Sequence, residues 1–410
     1  MSQDVFHRTK VAESIAKMVL EASSTSGYAS GLFLAAPRRT GKSTFLREDL
    51  RPQLEGKGAL VLYADLWEDR QSDPGDVIVK TVRAELAKHA GVVAKLARSV
   101  GLEKVSVAGA LTMTLDRVGL GADVSLAAAL AELSDATRQP IVLIIDEAQH
   151  AITTQAGSNA LFALKAARDE LNSSRHHGLR VIATGSSRDK LGMLRNSRDQ
   201  AFYQAPLQNF PPLGREYIEW LLKRVKLPIE LDVDFVHEQF AASAYRPEIL
   251  TTALDALHFE PDLDTKKAPG RLRELVSEQV AEFNKETLRV VHSLTPLQAA
   301  VLRVMAARGE RFAPFETATL AAYEAVLKNG AGRPGTVSES AVQQALVALQ
   351  ERSLVWRATR GVYALEELSL ADLMRAEGML DNVPNGDVAT PVPTEKVSGR
   401  VKPTGKSRKK

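Results

Sequence analysis

Two short stretches, far apart in the chain, carry residue types that can do phosphate chemistry. The first is Ala36-Pro37-Arg38-Arg39-Thr40-Gly41-Lys42-Ser43-Thr44. It follows the apolar run Gly31-Leu32-Phe33-Leu34 and leads into helix-like residues as far as Leu50. A strand, a tight loop ending in Gly-Lys-Ser and a helix make a phosphate-binding P-loop. Backbone N–H groups of residues 36–44 and the positive end of the helix converge on one point, which suits a polyphosphate. Lys42 is expected to reach the β- and γ-phosphates as a point charge, and the Ser43 hydroxyl to ligand Mg²⁺. The pattern asks for glycine at its first position, where this chain has Ala36, the smallest residue with a Cβ.

The second stretch is Ile141-Val142-Leu143-Ile144-Ile145-Asp146-Glu147-Ala148-Gln149. An unbroken apolar run before two acids suits a central strand buried on both faces of a parallel sheet. The acids then lie at its C-terminal end, the edge where ligands bind. Asp146 is expected to hold Mg²⁺, and Glu147 to act as general base on the water that attacks the γ-phosphate. Adjacent strand residues point oppositely, so one acid faces the metal and the next can face the nucleophile once the strand ends. Leu179 to Ser187 reads as another buried strand, ending in Thr184 and Ser186. A hydroxyl there, between the loop and the acids, can sense the γ-phosphate or orient the water; an ST-turn closing the strand is the alternative. Ser186 therefore joins Glu147, Asp146 and Lys42 as the expected catalytic set. Arg188, Arg195 and Arg198 follow. Each is either a surface residue or a finger delivered to a neighbour's nucleotide in a homo-oligomer.

These residues require a scaffold of alternating strands and helices. Ala59 to Leu66 is the second strand, and Phe202 to Leu207 is expected to be the last. Helices are expected from Asp4 to Ser24, Asp76 to His89, Ser125 to Thr137 (with Ser125 as N-cap) and Ser158 to Asn172. Phe6-His7-Arg8 either contacts the adenine or merely staples the first helix. Residues 101–123 alternate like a short inserted ribbon. Gly214 to Leu257 reads as small helices, with Pro247 in a first turn and Arg246 placed to reach back to a phosphate. Phe259 to Pro269 is the best domain break. Beyond it come helices at Leu297 to Arg308, Phe315 to Leu327 and Val337 to Glu351, then a strand–turn–strand from Leu354 to Leu365. Three helices and a hairpin make a winged-helix layout, whose third helix would enter a major groove of double-stranded DNA. Ser340, Gln343, Gln344, Arg352, Arg333, Arg357 and Arg360 form its modest polar and basic set, and a protein partner is the alternative. The expected fold class is α/β: a P-loop NTPase parallel sheet with a helical lid, followed by a winged-helix domain and a disordered basic tail. The expected boundaries are 1–210 for the core, 211–290 for the lid, 291–379 for the winged helix and 380–410 for the tail.

Bulk properties agree with this. The chain has 410 residues, 44% hydrophobic and 25% charged, which is ordinary for globular proteins with real cores. It has no cysteine, which excludes a disulfide scaffold and fits a reducing cytoplasm. The first residues lack the apolar core of a signal peptide, and no apolar run approaches the ~18 residues of a membrane span. Net charge is only +3. The last residues, from Gly399 to Lys410, are strongly basic and would attract any polyanion.

With these motifs quoted, the chain resembles the AAA+/STAND-type P-loop ATPases of the archaeal ATPase family, which are similar in layout to origin-recognition initiators. The resemblance rests on Pro37 to Ser43, Ile144 to Gln149, Thr184 to Ser187 and the terminal winged helix. It implies ATP binding, a helical lid around Arg246-Pro247, and a switch-like cycle linked to DNA or a partner. Tyr245 stands where such lids often carry glycine.

Overall fold

The computed structural model describes residues 5–23, 25–69, 71–89, 91–92, 125–173, 176–261, 263–329, 336–358 and 361–384. The ribbon expected at 101–123, Arg333, Arg360 and nearly all of the expected tail lie outside them.

Five strands follow the apolar runs: β1 (Leu32–Ala35), β2 (Leu60–Asp65), β3 (Ile141–Asp146), β4 (Leu179–Gly185) and β5 (Leu207–Asn209). They form one sheet in the order β2-β3-β4-β1-β5, parallel at every pairing. Period-two alternation divides each strand between two cores. Leu34, Val142, Ile144 and Ile182 face one; Phe33, Leu143, Ile145 and Val181 face the other. Ile141 through Ile145 are all fully buried, which is why β3 reads as an unbroken apolar run. Each such side chain contributes about 1.5–3 kcal/mol by leaving water.

On the first face lie α1 (Thr9–Leu20) and a helix in three parts: α2 (Lys42–Phe45), a π turn (Leu46–Leu50) and α3 (Arg51–Gly56). Pro52 has no N–H to give to a regular helix, and the wider π turn lies immediately before its turn. On the second face lie α4 (Pro74–Leu86), α5 (Leu126–Thr137) and α6 (Gln155–Leu171). Side chains of Asp73, Ser125 and Thr154 cap them. A short helix, α7 (Arg188–Gly192), follows β4. The last strand begins at Leu207, later than the Phe202 start read from the sequence. Gln204 is left-handed at φ 64°, so the extended run cannot begin before it. Phe202 instead packs on Phe33, ring centroids 5.7 Å apart.

Next come α8 (Arg215–Val225), α9 (Val233–Ala242), α10 (Pro247–His258) and α11 (Ala268–His292). They share a third core around Ile218, Phe240, Leu250 and Leu272. The 25-residue α11 links that core to a fourth, which contains its Val291. The fourth core is built by α12 (Pro296–Arg308), α13 (Thr317–Asn329), α14 (Glu339–Glu351), the antiparallel pair β6 (Val355–Arg357) and β7 (Tyr363–Leu365), and α15 (Ser369–Ala376). Thr295 and Gln298 close a capping box on α12. Among the described residues, no helix is long and apolar enough to cross a membrane.

Candidate active site

The polar residues of the site continue apolar columns of the sheet. On the first face, Val142 and Ile144 lead to Asp146, and Ile182 leads to Thr184. Leu34 pairs with Thr184, Ile144 with Ile182 and Asp65 with Asp146. Because β4 lies between β1 and β3, its hydroxyl falls between the phosphate loop and the acids.

The loop is shaped by a few local bonds. Thr40 Oγ1 donates to the Pro37 carbonyl at 2.8 Å. Gly41 is left-handed at φ 80° as it caps α2, a conformation that favours glycine. Arg39 is left-handed too, whereas Ala36 is not among the positive-φ residues. Ala36 donates its N–H to the Gly185 carbonyl at 3.0 Å. The first motif position therefore makes no left-handed demand here, and alanine fits it.

Lys42, the first residue of α2, is 5% exposed. Its Nζ donates to Asp146 Oδ1, to Glu147 Oε1 at 2.8 Å and to Thr184 Oγ1 at 3.3 Å. Asp146 Oδ1 also accepts from Thr184, and its Oδ2 accepts from Ser43 at 2.7 Å and Tyr63 at 2.9 Å. Glu147 is left-handed at φ 53°, which turns its carboxylate back onto the same lysine. The two acids thus meet at one cation, and β3 has ended at Asp146, so strand alternation no longer fixes where Glu147 points.

Charge follows from this packing. Burial alone would lower the Lys42 pKa, but Asp146 and Glu147 outweigh it and raise it. Burial likewise works against both carboxylates, yet Lys42 brings Asp146 down to about 2 and lowers Glu147 as well. Burial, and then the Asp146 charge, push the Tyr63 phenol up, so it stays a donor. The result is an ionised, buried cluster at the sheet's C-terminal edge, where a lysine, two hydroxyls and two carboxylates meet.

Two residues of this cluster carry no obvious sequence signal of their own. Gln149, 0% exposed, donates from Nε2 to Glu147 Oε2 at 2.6 Å and to Ser186 Oγ at 3.3 Å. Ser186 therefore reaches Glu147 through Gln149, while Thr184 is the hydroxyl that touches Lys42 and Asp146. Gly185 is required by this contact, since a Cβ there would lie 2.2 Å from Gln149 Oε1. The second residue is Tyr63, one polar ring inside the apolar β2.

The remaining candidates point elsewhere. Arg38 Nη2 pairs with Glu366 Oε1 at 2.6 Å, and its guanidinium stacks 4.5 Å over Trp67. Arg39 pairs with Glu248 at 3.0 Å. Thr44 is exposed. Arg246 stacks 4.0 Å over Phe283 rather than on Lys42 or the acids. Arg188 donates to Asn209 Oδ1 at 2.8 Å, Arg195 donates to Asn196 at 3.0 Å, and Arg198 is exposed. Phe6 packs on Tyr217 and Trp220, at 5.5 and 5.7 Å, and His7 Nδ1 meets Asp49 Oδ1 at 2.7 Å.

Residues 25–191 match the AAA domain family model, a span that includes the loop, the acids and β4. An ORC2 protein of Aeropyrum pernix in its ADP form is 14% identical over 91% of this chain and 95% of its own, with a TM-score of 0.51. The Walker-type ATPase of Pyrococcus abyssi is 17% identical over 91% of this chain and 97% of its own, TM-score 0.49. An Aeropyrum pernix ORC1 protein in complex with DNA is 16% identical over 92% and 94%, TM-score 0.42. No curated protein matches the chain. At these identities the ORC2 likeness speaks for the fold alone. The AAA match bears out the resemblance to AAA+ P-loop ATPases that the motifs carry.

Proposed function

We propose that this chain, whose residues 25–191 match an AAA domain, binds and hydrolyses ATP as a switch and acts on double-stranded DNA through a C-terminal winged helix. The observation that carries the first part is the convergence of Lys42, Ser43, Asp146, Glu147 and Thr184 on one point. Lys42 binds the β- and γ-phosphates, and Thr184 orients beside it. Glu147 takes the proton of the attacking water, with Gln149 holding its carboxylate in place. Ser43 Oγ and Asp146 Oδ2, 2.7 Å apart, are hard oxygen donors that fit Mg²⁺, an ion that takes few protein ligands. Bound there, Mg²⁺ would neutralise charge developing on the phosphates.

Residues 1–210 are read as the ATPase core, 211–290 as its lid and 291–379 as the winged helix. The support for the last is the order of α12, α13, α14 and the β6–β7 hairpin around one core. A nucleotide-gated protein-interaction module is the second reading. It is favoured by exposed apolar residues in this domain, Val347 on α14 at 42% and Val362 beside β7 at 43%.

The test is ATP turnover with and without duplex DNA at two salt concentrations. Glu147→Gln should bind ATP normally while turnover falls by roughly 10²–10⁴-fold, the range for a lost general base. Turnover at the wild-type rate would remove Glu147 from this role. Salt-dependent duplex binding that survives truncation after Leu380 supports the DNA reading; its loss on truncation supports the protein-interaction reading.

A further inference from the structure

A second surface, away from the phosphate loop, combines an exposed ring with cations. Helix α8 ends at Val225, with left-handed Lys226 as its C-cap. Helix α10 ends at His258, with Phe259 as its C-cap. Between these ends opens a cavity of about 790 Å³ lined by Trp220, Lys223, Arg224, Lys226, His258 and Phe259. Among the described residues that line it, the carboxylate is Asp255.

Phe259 is 79% exposed, the most exposed of the large hydrophobic residues among those described. The fold makes little use of its ring, which touches His258 edge-on at 4.8 Å. Its backbone, at φ −92°, makes no demand for this residue type. Cations at helix C-termini have an ordinary cause, since they complement the carbonyl ends of the helix dipoles. That cause explains Lys223, Arg224 and Lys226 but not an aromatic ring left in water. Trp220 is not an equivalent platform, because Phe6, Tyr217 and the Arg224 guanidinium already lie around it. One open ring rimmed by cations is the combination that holds unpaired nucleotides: the ring stacks on a base, and the cations meet the flanking phosphates. A duplex keeps its base faces stacked and cannot use the ring in this way. Among the described lining residues, Lys223 and Lys226 outnumber the carboxylate Asp255, which favours a polyanion over a protein of ordinary surface.

We propose that the cleft between the C-terminal ends of α8 and α10 binds single-stranded nucleic acid, with Phe259 stacking on a base and Lys223 and Lys226 contacting phosphates. This site is separate from the proposed ATP and duplex sites and does not depend on them.

The test is fluorescence anisotropy of the full chain with a labelled thymidine oligonucleotide of about 12 nucleotides, inside the usual site size of such clefts, and with a duplex of the same length. Phe259→Ala should weaken single-strand binding by about tenfold or more, the loss expected for one stacked base, and leave duplex binding unchanged. Phe259→Trp should keep the affinity, and its indole emission should be quenched as the oligonucleotide binds. Lys223→Glu with Lys226→Glu should make the salt dependence of single-strand binding shallower, by a log–log slope of roughly 1.4 for two phosphates. The proposal is overturned if Phe259→Ala binds the single strand as the wild type does, since attraction by charge alone then suffices. Equal losses on single strand and duplex, or a changed oligomeric mass in Phe259→Ala, overturn it as well.

Discussion

Among the described residues, two lysines are almost wholly buried, and their surroundings give them opposite character. Lys42, in the phosphate loop, is 5% exposed, and Lys190, on the short helix after β4, is 2% exposed. Burial works against charge on both. Lys42 meets two carboxylates, Asp146 and Glu147, and its pKa is raised. Lys190 meets one, Glu366, which it approaches at 3.4 Å while donating to the Glu366 carbonyl at 2.9 Å. Glu366 is already shared with Arg38. Burial therefore wins at Lys190, with Arg38 adding to it, and the pKa is lowered. At similar depth, the two carboxylates bonded to Lys42 outweigh burial, whereas Glu366, shared with Arg38, and the more distant Glu147 do not outweigh it at Lys190. The difference also separates two jobs. The Lys42 cluster concentrates charge where phosphate chemistry needs it. The Lys190–Glu366–Arg38 cluster ties the sheet edge and the phosphate loop to the C-terminal core, beside β7.

Removing each lysine should break the comparison most strongly. Lys42→Met leaves two buried carboxylates facing each other, a loss of about 3–5 kcal/mol by the behaviour of broken buried pairs, along with nucleotide binding. Lys190→Met leaves Glu366 still paired with Arg38, so urea melts should show a change below about 1.5 kcal/mol, the scale of one hydrogen bond. Equal losses in the two variants would mean that the carboxylate count does not set their character.

Alkaline titration sharpens the same contrast. A raised lysine pKa stabilises fully below the unfolded value of 10.5, and that stability is lost as pH rises through the folded value. A lowered one does the reverse: the charged, buried lysine is a penalty at neutral pH, relieved as pH rises from the folded value toward 10.5. Relative to the wild type, Lys42→Met should become less costly with rising pH and Lys190→Met more costly, as read from urea midpoints up to and beyond pH 10.5.

The smallest effect tests how the charged cluster is tuned. Tyr63→Phe removes one of the donors to Asp146 Oδ2 and keeps the ring. Stability should fall by about 1–1.5 kcal/mol. The Asp146 pKa, now about 2, should move upward, so that acid unfolding begins at a higher pH. An unchanged acid limb would show that Ser43, Thr184 and Lys42 hold Asp146 without help.

Much of this arrangement was legible because it is local. The Gly41-Lys42-Ser43 turn, the apolar run into Asp146 and the cap at Ser125 depend on neighbours a few residues away. Ala36 looked like a departure from the motif until its backbone proved free of any left-handed demand. The start of β5 was misplaced because the left-handed Gln204 carries no strong sequence mark. Gln149 stood in plain view two residues after Glu147, and its role became clear only when Gly185 was found tight against it.

The sequence by itself determined the phosphate loop, the acidic strand and their α/β setting, since glycine conformation, burial periodicity and helix capping act over short spans. Only the tertiary structure decided that β4 sits between the loop and the acids, that Thr184 rather than Ser186 touches Lys42, and that Glu366 reaches Arg38 across 328 residues of sequence. Parallel strand order and core-to-core packing are fixed by contacts between distant segments. A buried charge takes its character from whichever partners that packing brings to it.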